Sequence, residues 1–475
     1  MAESVIPGEA AVAGKSRPGV RDVVADLREK GIETVILGGS DTHGIMRGKR
    51  VPIQQLARVL EHGLPVCDVF WVMHVDETAL VERPEGHRGY FPTERNGYPD
   101  VYAIPDVGTV RVVPWHHRTA LMLCDWAQHD GRPVPISPRA VLERVVARAR
   151  AMGFEPYCGI ELEFYLLRDT ADSLPARHAG DLVSLQPRPS TYGVVMGSRQ
   201  EPIGRIVREH MLAYGLPIEA CNPETGPGQF EINLRYAPAL TAADHAFLFK
   251  TSVKEIAAQE GLTATFMAKP HSAWAGNSCH IHVSLAREEG HGAFHDARAA
   301  HGISTTMRHF VGGMLETMPE LSAVMAPTPN SYRRFVPYSW AGTTATWGLD
   351  NRSAGLRAIC EGEHGTRIEH RQAGGDVNPY LGAAAALAGG LHGIEHAIEA
   401  PDPVDADVYA LARGAVPDLP RTLHDATERL AHSDMARGWL GEDFVGHYVE
   451  MKRAELEAQS RAVTDWEIAR YLEAL

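Results

Sequence analysis

The chain has 475 residues, 44% hydrophobic and 22% charged, the balance of a globular protein long enough to build more than one core. A formal net charge of -14 argues against general nucleic-acid binding, and no segment reads as a membrane span. The six cysteines are scattered without a CxxC pair, which fits free thiols in a reduced, cytoplasmic setting.

Residues 1–19, MAESVIPGEAAVAGKSRPG, lack a hydrophobic stretch of signal-peptide length and read as a flexible tail. VRDVVADLREK predicts a helix from Val20 to Lys30, closed by Gly31, and ETVILGGSD a strand and turn. RGKRVPIQQLARVLEHG reads as a short strand and a helix. Further strands are expected in DVFWVMHVD, in GTVRVVPW and at the start of TALMLCDWAQHDGRPVP, which leaves through a proline-rich exit. Together these define a small α+β region over residues 20–135. PRAVLERVVARARAMGF, after Ser137-Pro138, is an amphipathic helix that opens a larger region, 136–475. There, strands alternate with helices to about Asn378. REEGHGAFHDARAAHG reads as a polar surface insertion and YLGAAAALAGGLHGIEHAI as a buried helix. From Ser433 the chain reads as helices charged on one side.

Three segments place functional side chains two residues apart: Glu161-Leu-Glu163, His280-Ile-His282 and Glu369-His-Arg371. In a strand, residues i and i+2 face the same side, so each pair can enter one cavity. ACNPETGPGQFEINLRY adds Glu224 and Glu231, with Glu219 just before it. Two bare carboxylates about 4 Å apart repel by roughly 4 kcal/mol at an effective dielectric of about 20. Several such pairs call for cations, and oxygen donors with an occasional imidazole suit Mg²⁺ or Mn²⁺. Nearby arginines suit anionic carboxylate or phosphate substrates. Cys279 falls on the strand face opposite His280 and reads as core, not as a nucleophile.

In chain order, ExE, PETGPGQFEINL, GNSCHIHVS, NSYRR, NRSAGLR and RIEHR followed by NPYL resemble the glutamine synthetase superfamily in its long bacterial form, from about residue 20 to the C-terminus. The resemblance implies an α+β protein: a β-grasp domain over 20–135, then a large α/β catalytic domain over 136–475 whose antiparallel sheet lines the active site. It implies ATP as substrate and two or more Mg²⁺ or Mn²⁺ ions per site. Glu163, Glu224 and Glu231 match one metal site, and Glu161, His280 and Glu369 the other. Arg334, Arg352 and Arg371 match catalytic arginines, with Arg352 and Arg357 on ATP phosphates and Arg334, Arg371 and Gly276 around glutamate. Glu219, Tyr236 and Ser284 match positions lining the nucleotide. EGEHGTRIE is one residue short of the family pattern and lacks its lysine before RIE, which leaves that base contact unassigned. The family assembles as a homododecamer of two hexameric rings. A neighbouring small domain then contributes to the amine pocket, here through Asp68, Phe70, Trp71, Asp76 and Glu77.

The flap departs from the family. Glutamine synthetases that use ammonia carry a glutamate a few residues after its VP; here RRFVPYSWAGTTATW puts Trp340 there, and no Asp or Glu occurs from Arg333 to Leu349. The resemblance therefore narrows to the γ-glutamyl-amide branch. Its members join glutamate, through γ-glutamyl phosphate, to a small organic amine, with Trp340 here both lining the amine pocket and shielding the reaction. An ammonia-using glutamine synthetase and an inactive structural or regulatory homologue are the alternatives.

Overall fold

A computed structural model describes residues 20–93, 96–174, 181–287, 290–412 and 414–474; the expected tail, 1–19, lies outside them. Two sheets organise the described residues, one of six strands and one of nine. In the smaller sheet the order is Met46–Pro52, Thr34–Ser40, Thr119–Ala127, Asp100–Pro105 and Leu64–Cys67, with the two-residue strand Arg111–Val112 also on Thr119–Ala127. Thr34–Ser40 runs parallel to Thr119–Ala127, while the other pairs are antiparallel. Helices Val20–Glu29 and Ile53–His62 supply Val23, Val24, Leu27, Leu56 and Val59 to the core of this sheet.

Strand Thr119–Ala127 serves two cores through its period of two. Ala120, Met122, Cys124 and Trp126 enter the small core, while Leu121 and Leu123 enter the large one. A second tie is Asn378, whose Oδ1 accepts from Tyr380 N at 3.1 Å to cap helix Pro379–Glu395 while Nδ2 donates to Ser40 Oγ at 3.1 Å.

The expected strand in DVFWVMHVD is a 3₁₀ helix, Asp68–Val72, preceded by the short strand Leu64–Cys67. The reason is burial. Phe70, Trp71 and Val72 are 5%, 0% and 0% exposed, and a strand would turn one of three consecutive apolar residues outward. Asp100–Pro105, unanticipated from the sequence, completes the pairing between Leu64–Cys67 and Thr119–Ala127.

The larger sheet runs Trp347–Leu349, Leu356–Ile359, Arg367–His370, Cys279–Arg287, Phe154–Leu167, Gln229–Leu234 and Ile218–Pro223, with Ala237–Pro238 and Thr263–Thr265 also on Phe154–Leu167. All of its pairs are antiparallel except the first. Helices Pro138–Ala151, Ala239–Gln259, Thr305–Met325 and Pro379–Glu395 cover one face. The last two cross very closely. A Cβ on Gly313 would lie 2.3 Å from Gly393 N and 2.4 Å from Gly389 O, so only glycine fits there. Among the described residues, no helix is long and apolar enough to cross a membrane.

Candidate active site

The open face of the larger sheet collects the acidic residues by register. His280 pairs with Glu161, Glu161 with Asn233, Glu163 with Glu231, His282 with Glu369, and Glu369 with Arg357. The alternate residues Leu162, Cys279, Ile281 and Ile368 are buried in the core. Burial holds the Cys279 thiol up at about 12, so it stays protonated.

Three carboxylates, Glu163, Glu224 and Glu231, offer oxygens within 4.8 Å of one another. Glu163 Oε2 accepts from Ser278 N at 2.7 Å and Gln229 Nε2 at 3.2 Å. Glu224 accepts from Asn222 Nδ2 at 2.9 Å, and Glu231 from Asn233 Nδ2 at 3.2 Å. Neutral donors thus orient the carboxylates without neutralising them. Burial first, then the Glu224 charge, pushes Glu163 up to about 7. Burial, then Glu161, Glu163 and Glu224, pushes Glu231 up to about 8. Oxygen-only donors crowded beyond what their own charges tolerate fit a hard divalent cation.

Beside them, Glu161 faces His280 Nδ1 at 3.2 Å and His282 Nε2 at 3.0 Å, and Glu369 lies 3.4 Å from His280 Nδ1. His280 Nε2 is buried without a hydrogen-bond partner. This mixed oxygen and imidazole set also fits a divalent ion. Arg371 donates to Glu369, and Arg357 Nη1 donates to its other oxygen at 2.9 Å. Burial opposes ionisation of Glu369, but His280 and Arg371 outweigh it and hold the carboxyl at about 2.

Arg334 is buried, donating to Gln372 O at 2.8 Å and Arg371 O at 3.2 Å. Gly276 packs directly on it: an added Cβ would lie 2.5 Å from Arg334 Cγ and 2.9 Å from Ala268 O. Gly276→Ala is expected to displace Arg334 and cost about 1–3 kcal/mol. Calorimetry checks it, and unchanged stability would contradict it.

Glu219, Tyr236 and Ser284 line one cavity of about 310 Å³ with Glu161, His282 and the segment His364–Arg367. Arg357 lies at the Glu369 edge, and Arg352 is exposed on the loop before it. Trp340 is 57% exposed at φ 54°, and its carbonyl accepts from Arg371 Nη2 at 3.4 Å, which puts the flap over the arginine.

One expectation is corrected. Phe70 and Trp71 pack at an angle against each other and against Trp126 inside the small core, so neither ring is exposed to line a pocket. Asp68 is buried as well, whereas Asp76 and Glu77 are exposed. Sequence reasoning missed the orienting amides and gave His282 no role. The signal was present: Asn222, Gln229 and Asn233 stand two residues from Glu224 or Glu231, the same spacing that flagged the acids.

The raised carboxyls have a consequence for metal-free protein. Their ordinary value is 4.5, so between that pH and about 7 to 8 the folded state binds more protons than the unfolded chain. The stabilisation they contribute is complete below about pH 4.5 and is lost as pH rises through those folded values. Thermal stability without metal is expected to fall between about pH 5 and pH 8, less steeply in Glu231→Gln. Mg²⁺ is expected to raise Tm more at the higher pH. A Mg²⁺ shift independent of pH in calorimetry would contradict this.

The sheet, its acidic clusters and the flanking arginines define a member of the glutamine synthetase family. The family model for "Glutamine synthetase, catalytic domain" matches residues 135–471, and the chain belongs to that family. Among its relatives, a glutamate–isopropylamine ligase of Pseudomonas sp is 37% identical over 95% of this chain and 98% of its own length. The γ-glutamylethanolamide synthetase GlnA4 of Streptomyces coelicolor is 39% identical over 98% of each chain. A solved structure, "GmaS/ADP complex-Conformation 1", superposes with a TM-score of 0.82 at 31% identity, covering 95% of this chain and 99% of its own.

Proposed function

We propose that this chain is an ATP-dependent glutamate–amine ligase, joining the γ-carboxylate of glutamate to an organic primary amine. One observation carries the reading: an intact set of acidic clusters and arginines lies beneath a flap that offers Trp340 and no carboxylate. Similarity to proteins named for isopropylamine and ethanolamine ligation supports it, as does a γ-glutamylputrescine synthetase, PuuA of Escherichia coli, 32% identical over 90% of this chain and 89% of its own.

In the first step a γ-carboxylate oxygen attacks the γ-phosphorus of ATP and ADP leaves, giving γ-glutamyl phosphate. In the second, a neutral amine nitrogen attacks the acyl carbon. The bond to phosphate breaks and the nitrogen loses a proton, leaving the γ-glutamyl amide. Glu163, Glu224 and Glu231 would hold one Mg²⁺ or Mn²⁺, and Glu161, His280 and Glu369 another; bound there, the cations neutralise carboxylate and phosphate charge. Arg352 and Arg357 hold ATP phosphates, with Glu219, Tyr236 and Ser284 around the nucleoside. Arg334 and Arg371 hold glutamate and the transferring phosphoryl group, with Gly276 giving Arg334 room. Trp340 covers the acyl phosphate against water and packs on the amine.

Residues 20–135 form the β-grasp domain in this reading, supported by the parallel central pair of the smaller sheet, and 136–475 the catalytic domain. The working assembly is a homododecamer of two hexameric rings in the cytoplasm, where thiols such as exposed Cys67 and Cys360 stay reduced. Of the exposed pair Asp76 and Glu77, Glu77 is engaged by Arg47, and Asp76 is the carboxylate to serve a neighbouring subunit's amine.

Phosphate release with ATP, glutamate and a panel of alkyl, hydroxyalkyl, polyamine and aryl amines tests the function, with ammonium as comparison. An organic amine is expected to turn over best. Preference for ammonium would restore the ammonia-using reading, and no turnover with any amine the inactive one.

A further inference from the structure

A second cluster of ligand-capable side chains shares no residue with the active site. His392, Glu395 and His396 stand at i, i+3 and i+4 at the C-terminal end of helix Pro379–Glu395, on one face. One ligating atom from each lies within 4.8 Å of the others, and the two imidazole rings are 4.2 Å apart.

Three further contacts set the donors of this cluster. His396 Nδ1 lies 3.0 Å from the His392 carbonyl oxygen, a bond that places the ring proton on Nδ1 and leaves the Nε2 lone pair for a metal. Arg148 Nη2 donates to Glu395 Oε2 at 2.6 Å while its guanidinium stacks on Trp439 at 3.5 Å, which fixes the carboxylate's orientation. Glu316, on the neighbouring helix Thr305–Met325, comes to 3.8 Å from His392 Nε2. The close glycine crossing of these two helices brings that fourth donor in. The end of a helix also carries partial negative charge from its last carbonyls, which favours a cation.

We propose that His392, Glu395 and His396, joined by Glu316, form a binding site for a transition-metal ion of the Zn²⁺ type, tying the C-terminal end of helix Pro379–Glu395 to the middle of helix Thr305–Met325. Two imidazoles and two carboxylates match the donor set and coordination number of Zn²⁺; Mg²⁺ prefers oxygen and water and would not compete well here. The site is independent of the ligase reading, because none of its residues belongs to the acidic clusters or the nucleotide cavity.

Zn²⁺ is titrated calorimetrically into the full-length protein with Mg²⁺ in excess. Wild type is expected to bind one more Zn²⁺ per chain than His392→Ala/His396→Ala, with unchanged circular dichroism showing that the variant folds. Glu163→Gln/Glu231→Gln, altered only in the active site, is expected to keep that ion. Co²⁺ should give wild type a tetrahedral visible spectrum that the histidine variant lacks, with Glu316→Gln weakening it. Equal Zn²⁺ stoichiometry and equal Co²⁺ spectra in wild type and the histidine variant would overturn the site.

Discussion

Glu231→Ala is expected to remove ligase activity, with kcat/KM falling on the order of 10³-fold, because a bound cation supplies several kcal/mol of charge stabilisation in phosphoryl transfer. Glu231 is the residue to choose. It lies against Glu163 in the sheet register, within 4.8 Å of Glu163 and Glu224 in one cluster and of Glu161 and His280 in the other. Glu163→Ala is expected to act similarly and also to leave Ser278 N and Gln229 Nε2 without their acceptor. Excess EDTA should abolish wild-type activity, and Mg²⁺ or Mn²⁺ should restore it. Removing buried repulsion should meanwhile leave the Glu231→Ala fold intact, or stabilise it in metal-free buffer. Full activity of wild type in EDTA, or of Glu231→Ala in Mg²⁺, would refute the assignment.

Trp340→Glu is expected to exchange preference for an organic amine against use of ammonium. An ammonium ion needs an anion to hold it and a base to take its proton before attack, and Trp340 provides neither. Its exposed ring offers apolar surface instead, on which an amine's alkyl or aryl body can pack, and packing of that kind contributes about 1.5–3 kcal/mol. The variant should therefore lose about 10- to 100-fold in kcat/KM for the best organic amine. Its activity with ammonium should hold or rise, narrowing the gap from both sides. Arylamines are neutral near pH 7 and need no base, whereas alkylamines need a carboxylate such as Asp76. Steady-state kinetics of both proteins across the amine panel decide it. A wild type that prefers ammonium to every organic amine would show that the flap has been misread.

The acidic site was legible because period-two spacing survives folding: Glu161 and Glu163 share a face in any strand, whatever that strand pairs with. The glutamine synthetase motifs could be read for the same reason, since each is local. The short segment DVFWVMHVD was not. Its residues suit a strand by composition, and the choice of a 3₁₀ turn rests on Phe70, Trp71 and Val72 all finding a core, which depends on Trp126 more than fifty residues away in the chain. The two rings expected to line the amine pocket lie in that core instead.

By itself, then, the sequence determined which side chains can act together within a strand, the family they belong to, and the loss of the flap carboxylate. Tertiary structure alone decided which strands are neighbours. Register sets His280 against Glu161 and Glu163 against Glu231, joining acids far apart in sequence into crowded clusters; burial and like charges then raise Glu231, whereas His280 and Arg371 overcome burial and lower Glu369. The close crossing at Gly313 likewise brings Glu316 to His392, a contact no local pattern encodes. The physical reason is common to both. Side-chain direction follows from backbone period, a local property, whereas electrostatic environment depends on distances that only the packed chain fixes.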